Sequence, residues 1–547
     1  MPKYLFVTGG VMSGLGKGII TSSVAKLLQL SGVEVTSLKI DPYLNFDAGT
    51  MNPYTHGEVF VTDDGGETDM DIGNYERFLN RDMTKENNIT TGQIYKRVID
   101  DERRGKFLGK SVQIIPHVTD EIKRRIRALA EREKVDVLVV ECGGTVGDIE
   151  SLPFLEAFRQ MRMEEGPTRT LFIHVSLAPE LSVVGELKTK PTQHSVQEMR
   201  RIGIQPDIIV IRGTRALPLE TKEKVSLFTS VPVGSVVSDP DVDTIYQVPR
   251  LLEREGILKP IRRQLGLRTK LDMRGWNTVA DRFIDHDITV RIAMVGKYAN
   301  LADSYVSVNQ ALSHAASLKG ADVRISWIES EEIEKDSAKL QLMQAYDGVV
   351  LPQGFGSRGI EGKIAAANEA RVSGIPFLGL CFGFQLASVS FARHALGLKG
   401  ANTTEADPDT PHPIIDLLPE QRKVSDLGGT MRLGGHDVYI NKPSRAFEIY
   451  KTAMIRERHR HRFEFNQKYL KAFGEKGMRY TAFSDGGRRA EILELEGHPF
   501  YMATQYHPEY VSRPEKPEPI YVAFLEACVR RAREAGQAPE KVRSLAR

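Results

Sequence analysis

Apolar residues fall in short unbroken runs, and helical patterns separate those runs. Residues 4–8, 33–39, 135–140, 170–175 and 208–211 are rich in β-branched and aromatic side chains. Near-continuous apolar runs of this length predict strands of a parallel sheet covered on both faces. Residues 120–134 instead place Ile122, Ile126 and Leu129 on one side of a helix. Thr119 is its expected N-cap, and acids occupy its first turn. Strand-then-helix alternation predicts a doubly wound, mostly parallel α/β fold.

The alternation stops over residues 252–287, which are charged and carry no strand signal, so a linker is expected there. A second series follows with expected strands at 289–295, 321–327, 348–351 and 376–380. Residues 401–435, rich in Pro, Asp, Thr and Gly, read as a long loop excursion. The expected organisation is a first domain over 1–266, a linker over 267–288 and a second α/β domain over 289–547.

Composition changes this picture little. The 547 residues are 41% hydrophobic and 27% charged, which excludes a disordered or coiled-coil chain. Lys plus Arg number 74 against 72 Asp plus Glu, a net +2, so no nucleic-acid footprint spreads over the whole chain. Cys142, Cys381 and Cys528 are too few and too far apart for a disulfide framework or zinc site, and fit a reducing compartment. No signal peptide is expected from residues 1–18. The longest apolar stretch, 375–392, is interrupted by Gln385, Ser388 and Ser390 and is a poor membrane span. The expectation is a cytoplasmic protein with neither membrane nor nucleic-acid partners.

Two stretches carry chemistry. The first is Gly9-Gly10-Val11-Met12-Ser13-Gly14-Leu15-Gly16-Lys17-Gly18, between an expected strand and a helical pattern over 19–30. Glycines let backbone N–H groups approach phosphate, the helix N-terminus favours an anion, and Lys17 supplies a point charge. The phosphate-loop pattern is imperfect. Its first glycine is displaced by one, and Gly18 stands where a magnesium-binding hydroxyl belongs, with Thr21 or Ser22 as stand-ins. Glu141, closing a strand, and Asp71 supply the two carboxylates a Mg²⁺–phosphate site uses. The plain alternative is a glycine turn without a ligand.

The second stretch is Gly379-Leu380-Cys381-Phe382-Gly383, a thiol version of the nucleophile elbow. Flanking glycines relieve crowding at the strand-to-helix turn, and the helix N-terminus favours thiolate. His507 and Glu509 are two apart, so in extended backbone they share a face and form a base with its orienting acid. The Leu351-Pro352-Gln353-Gly354-Phe355-Gly356 turn, with the N–H of Phe382, offers an oxyanion hole. The alternatives are an inert buried cysteine and an ordinary tight turn.

Together these residues resemble the CTP synthase family. The resemblance covers nearly the whole chain and extends to Glu67 through Asp71, Glu141 through Glu150 and Lys188 through Ser195. It implies a phosphate-loop amidoligase domain followed by a class I glutamine amidotransferase domain. It also implies ATP-dependent amination of UTP to CTP, with ammonia released from glutamine through a cysteine thioester.

The roles follow by position. Gly14, Leu15, Gly16, Lys17, Gly18, Ile19 and Asp71 would meet ATP, with Mg²⁺ on Asp71 and Glu141, and Lys39 beside the transferring phosphoryl group. Ser13, Lys188, Thr189, Lys190, Pro191, Thr192, Gln193 and Lys224 would meet UTP. Asp148, Ile149 and Glu150 would join a CTP feedback site, and Lys188 and Lys190 would face one way if extended. Gly354, Phe382, Gly383, Phe384, Gln385, Glu405 and Arg462 would hold glutamine around the catalytic Cys381, His507 and Glu509. GTP as allosteric activator, through Arg358 and Glu361, a homotetramer and an internal ammonia passage are further implications. Two other readings stay open: a cobyrinate-type amide synthase, and a nucleotide switch or scaffold with an inert glutaminase half.

Overall fold

The parallel strands predicted for the first half arise because each apolar run is buried on both faces. The computed structural model describes residues 1–52, 56–181, 186–297, 302–336, 338–423 and 429–536. The chain divides into two compact units, residues 1–48 with 71–284 and residues 49–70 with 285–547.

The first unit is built on a seven-stranded sheet. Its spatial order is Val236–Pro240, Ile208–Gly213, Thr170–Leu177, Lys3–Gly9, Val137–Cys142, Val35–Asp41 and Asn88–Thr90. Every pairing is parallel. The chain runs from the central strand Lys3–Gly9 into the helix Lys17–Gln29, so the glycine-rich loop sits at the carboxyl end of the sheet. The helix Thr119–Arg132 buries Ile122, Ile126 and Leu129 as expected. Thr119 is not its N-cap, however. It lies inside the helix, and its hydroxyl donates to Pro116 O at 3.0 Å, because the preceding turn is already wound.

The segment expected as a linker is helical. Val248–Arg254, Leu258–Leu265 and Arg274–Asp281 carry its charges outward. Trp276 is fully buried beside Phe78 and Tyr246, and its Nε1 donates to Tyr246 O at 3.0 Å. Burying an indole with its N–H satisfied outweighs a poor strand signal.

The second unit holds a nine-stranded sheet. Five parallel strands come first: Ala321–Glu329, Ile288–Gly296, Gly348–Leu351, Phe377–Leu380 and Tyr501–Thr504. Four antiparallel ones continue it: Arg489–Leu495, Met478–Ser484, Arg432–Ile440 and Met454–His461. The excursion 401–435 is only partly loop. His412–Leu417 pairs with Ala401–Thr403 on one side and Phe463–Phe465 on the other in a small sheet, and Arg432 already begins a long strand.

The hairpin Val59–Val61/Glu67–Asp69, far upstream in sequence, also belongs to this unit. Three arginines hold it. Arg456, Arg458 and Arg460 alternate along Met454–His461 and project to one face. Arg456 grips Asp63 through two nitrogens at 3.0 and 2.9 Å. Arg458 donates to Val61 O at 3.0 Å, and Arg460 meets Glu67 at 2.8 Å. The other face of the same strand points His459 at Glu491, 2.9 Å away.

Candidate active sites in the two units

Cys381 stands between the strand Phe377–Leu380 and the helix Phe382–His394, with φ 50° and ψ −96°. That left-handed backbone is costly for a residue with a Cβ and concentrates at functional turns. The two flanking glycines are mandatory. A Cβ on Gly379 would meet Gly383 C at 2.9 Å, and one on Gly383 would meet Leu351 O at 2.1 Å. The Sγ lies 3.7 Å from Arg460 O and 3.6 Å from Gln505 Nε2.

His507 and Glu509 do come together, but not along an extended strand. Pro508–Tyr510 is a 3-10 turn, and His507 Nδ1 donates to Glu509 Oε1 at 2.7 Å across it. This bond leaves the buried Nε2 for the Cys381 sulfur. Burial opposes charge on this ring. The Glu509 carboxylate and the neighbouring Cys381 sulfur outweigh it and hold the imidazole up at about 10. The proton on His507 is thus favoured beside the Cys381 sulfur.

A cavity of about 320 Å³ opens over Cys381. Of the expected glutamine contacts, Gly354, Phe382, Gln385, Glu405 and Arg462 line it. Gly383 and Phe384 do not. They are buried behind the elbow, Gly383 against Leu351 and Phe384 edge-on to Tyr480. Glu405 accepts from Gly356 N at 2.6 Å, and burial pushes its carboxyl up. A buried carboxylate on a cavity wall suits a cationic group such as an α-ammonium. Arg462 donates to Gln421 and Thr430 at 2.5 and 2.8 Å. It leaves the alternation of Arg456, Arg458 and Arg460 because the strand ends at His461.

Sequence reasoning missed Gly49, Thr50, Met431, His461 and Phe463 on the cavity wall. Glu67 explains the first two. It pairs with Arg460, which donates to Gly49 O at 3.0 Å. The one available signal was the arginine alternation, which needed an acidic partner upstream. Further along the turn, Arg358 pairs with Glu331 at 2.9 Å and Glu361 with Arg393 at 2.6 Å.

In the first unit the glycine-rich loop is a preformed cradle. Val11, Gly14 and Gly16 have φ of 79°, 76° and 80°, and a Cβ on Gly14 or Gly16 would meet nothing within 4 Å. The helix Lys17–Gln29 starts with no side-chain cap and no acid in its first turn, which leaves its N–H groups for an anion. Lys17 donates to Gly144 O at 2.8 Å. Leu15 and Ile19 flank the cradle, with Leu15 buried.

Gly18 has a local reason to lack a side chain. A Cβ there would lie 1.9 Å from Asp71 Oδ1. Asp71 thus fills the space a loop hydroxyl would use. Of the two stand-ins, Ser22 is committed to Gly18 O at 2.7 Å, while Thr21 Oγ1 is buried without a partner.

Lys39 bridges both carboxylates, bonding Asp71 and meeting Glu141 at 3.2 Å, and Tyr75 donates to Glu141. Burial opposes charge on both acids. Lys39 outweighs it at Asp71, whose pKa is lowered. At Glu141 burial and the Asp71 charge prevail, and its carboxyl rises. Two hard carboxylates crowded this closely fit Mg²⁺, which would relieve their repulsion.

The expected nucleotide contacts are arranged less simply. Asp148 caps its own turn through Thr145 N and Oγ1 at 2.6 and 2.8 Å, and Ile149 is exposed. Lys188 and Lys190 do not face one way on an extended stretch. Pro191 helps start the helix Lys190–Arg201, so Lys190 turns over the Phe228 ring. Thr192 accepts from Ser176 on the strand Thr170–Leu177 at 3.0 Å, and Gln193 donates to Thr189 at 3.0 Å within the helix start. Ser13, Glu150 and Lys224 are exposed.

Comparison with known proteins bears on both sites. One family model, CTP synthase N-terminus, matches residues 3–267, and another, Glutamine amidotransferase class-I, matches residues 300–527. The CTP synthase of Pyrococcus abyssi (strain GE5 / Orsay) is 54% identical over 529 residues, 96% of this chain and 98% of its own. That of Roseiflexus sp. (strain RS-1) is 51% identical over 541 residues, 98% of this chain and 97% of its own. A solved glutaminase domain of Trypanosoma brucei CTPS with bound acivicin is 36% identical. It covers 44% of this chain and 94% of that one, with a TM-score of 0.42. A nucleophile elbow with its His–Glu pair in one unit and a phosphate cradle with two acids in the other, matched at this identity along nearly the full length, mean that the chain belongs to the CTP synthase family.

Proposed function

We propose that this chain makes CTP from UTP by dividing the work between residues 1–266 and 289–547, joined through 267–288. In the first part ATP transfers its γ-phosphoryl group to the 4-oxygen of UTP, releasing ADP. Ammonia then displaces that phosphate at carbon 4. Lys17 and the loop 14–19 hold the ATP phosphates, and Lys39 offsets charge on the transferring group. Asp71 and Glu141 hold Mg²⁺, which when bound neutralises phosphate charge. Ser13, Lys188–Gln193 and Lys224 hold UTP, with Asp148, Ile149 and Glu150 serving CTP as feedback inhibitor.

In the second part Cys381 Sγ attacks the glutamine side-chain amide. The Gly354 and Phe382 N–H groups receive the developing oxyanion. Protonated His507 gives its Nε2 proton to the departing ammonia, leaving a thioester. The now neutral ring takes a proton from water, whose oxygen attacks the thioester carbon, breaking its bond to Cys381 Sγ and releasing glutamate and the thiolate. Glu405 and Arg462 hold the α-ammonium and α-carboxylate, and Gln385 lines the side-chain slot.

GTP acts as activator through Arg358 and Glu361, the working form is a homotetramer, and the compartment is the cytoplasm. These points rest on family membership. The observation that carries the glutaminase reading is the strained Cys381 elbow, with His507 already oriented by Glu509 at 2.7 Å beneath a cavity of about 320 Å³.

The test is Cys381→Ala. Glutamine-dependent CTP formation should vanish while ammonium-dependent formation persists. Loss of both in a folded protein would refute the division of labour.

A further inference from the structure

Two lysines with no assigned role lie inside the second unit, under the turn that carries Gly354. Lys297 is 3% exposed and Lys363 is fully buried. Lysines are almost never buried this deeply without a task. Burial pulls the Lys297 ammonium down to about 8, and burial with the nearby Lys297 charge pulls Lys363 well below its ordinary value. Both donate to backbone oxygens.

Lys363 Nζ donates to Pro352 O at 3.1 Å. Lys297 Nζ donates to Phe355 O and, at 2.6 Å, to Gly356 O. Both sit on the Phe382 ring, at 4.9 Å for Lys297 and 5.4 Å for Lys363. They therefore touch the backbone of the Gly354 turn and the side chain of Phe382, the two residues that supply oxyanion donors.

Peptide planarity makes these contacts directional. A carbonyl and the following N–H lie in one rigid plane and point opposite ways. Fixing Pro352 O fixes the Pro352–Gln353 plane. The Phe355–Gly356 plane is held at both ends, by Lys297 on its oxygen and Glu405 on its N–H at 2.6 Å. The two planes left between them carry the N–H groups of Gly354 and Phe355, both on the cavity wall with Cys381.

Lys363 Nζ is also the nearest atom, at 3.7 Å, to where a Gly354 Cβ would stand. The turn is clamped on either side of Gly354 by side chains that cannot reach solvent.

We infer that Lys297 and Lys363 are positioning residues of the glutaminase: by gripping the Pro352, Phe355 and Gly356 carbonyls they hold the Gly354 N–H toward the oxyanion formed at Cys381. This rests on the reading that Cys381 attacks a glutamine amide. The lysines do not touch substrate. They remove the reorganisation a loose turn would need at the moment charge develops, which is where preorganised donors act.

The test separates oxyanion chemistry from thiol chemistry in the full-length enzyme. Lys363→Met and Lys297→Met keep side-chain length and remove the donor, and Lys297→Arg keeps a donor. Three rates are measured: glutamine hydrolysis, ammonium-dependent CTP formation and alkylation of Cys381 by iodoacetamide, a displacement at carbon that makes no oxyanion.

Each Met variant should lose about 100-fold in kcat for glutamine, the scale of a misplaced catalytic group. KM should stay within about threefold, and alkylation and ammonium-dependent rates within about twofold, as expected for an interaction made only in the transition state. Lys297→Arg should recover most of the loss. Unchanged glutamine kcat in the Met variants overturns the inference, as does a parallel fall of alkylation and hydrolysis. Should Lys363→Met not fold, the Lys297 Met and Arg pair decides alone. A wild-type enzyme that alkylates but never hydrolyses glutamine would instead sink the glutaminase reading.

Discussion

Restoring the missing hydroxyl of the phosphate loop should cripple the enzyme. Gly18→Ser supplies the hydroxyl of the common pattern, yet its Cβ would lie 1.9 Å from Asp71 Oδ1 and 2.5 Å from Asp71 Cγ. Side-chain Cβ atoms do not approach other atoms closer than 3.0 Å, so one partner must retreat by about 1.1 Å. The carboxylate is not free to swing. Its Oδ2 bonds Lys39, and its Oδ1 accepts from Asn74 at 3.3 Å.

Overpacking of this kind costs about 1–3 kcal/mol, and loosening a charge-assisted hydrogen bond about 1.5–3 kcal/mol more. A catalytic group displaced by about 1 Å loses on the order of 100-fold in rate. The assay is ammonium-dependent CTP formation, with glutamine hydrolysis as the internal control for a folded protein. A Gly18→Ser enzyme within about threefold of wild type in the ammonium reaction would refute the reasoning.

Two further outcomes follow from the second unit. Glu67→Gln or Arg460→Met breaks a buried pair at 2.8 Å and should destabilise the protein by about 3–5 kcal/mol while raising KM for glutamine, since Arg460 also holds Gly49 O. Thermal melts of both singles and the double variant check this, and additive effects would contradict a direct coupling. Glu509→Gln removes the largest charge that holds His507 up at about 10. A group raised in the folded state keeps its proton until pH passes its folded pKa. The alkaline limb of glutamine hydrolysis should therefore move to lower pH, and an unmoved limb in a pH–rate series would show that Glu509 does not set this charge.

Much of this was legible along the chain. Continuous apolar runs marked the parallel strands of both sheets, because a strand buried on two faces has no polar alternation to hide. The strands expected at 348–351 and 376–380 appear as Gly348–Leu351 and Phe377–Leu380. The elbow was legible because Gly379 and Gly383 sit where any Cβ would strike Leu351 or the facing backbone, a purely local constraint. His507 and Glu509 were found as a pair but by the wrong geometry. Periodicity could not distinguish an extended strand from the 3-10 turn that Pro508 opens.

What sequence alone determined was therefore the local chemistry: a glycine loop with its lysine, a thiol on a tight turn, and the alternating periods that lay down two α/β sheets. Each depends on residues within a few positions of one another. The tertiary structure decided which distant residues share a site. It put Arg462 on the cavity wall and turned Arg456, Arg458 and Arg460 to Asp63, Val61 and Glu67, some 400 positions away. It brought Gly49 and Thr50 to the cavity over Cys381, and it set Asp71 against Gly18. Long-range ion pairs and close backbone approaches leave no periodic trace, since their partners are selected by packing and burial rather than by spacing.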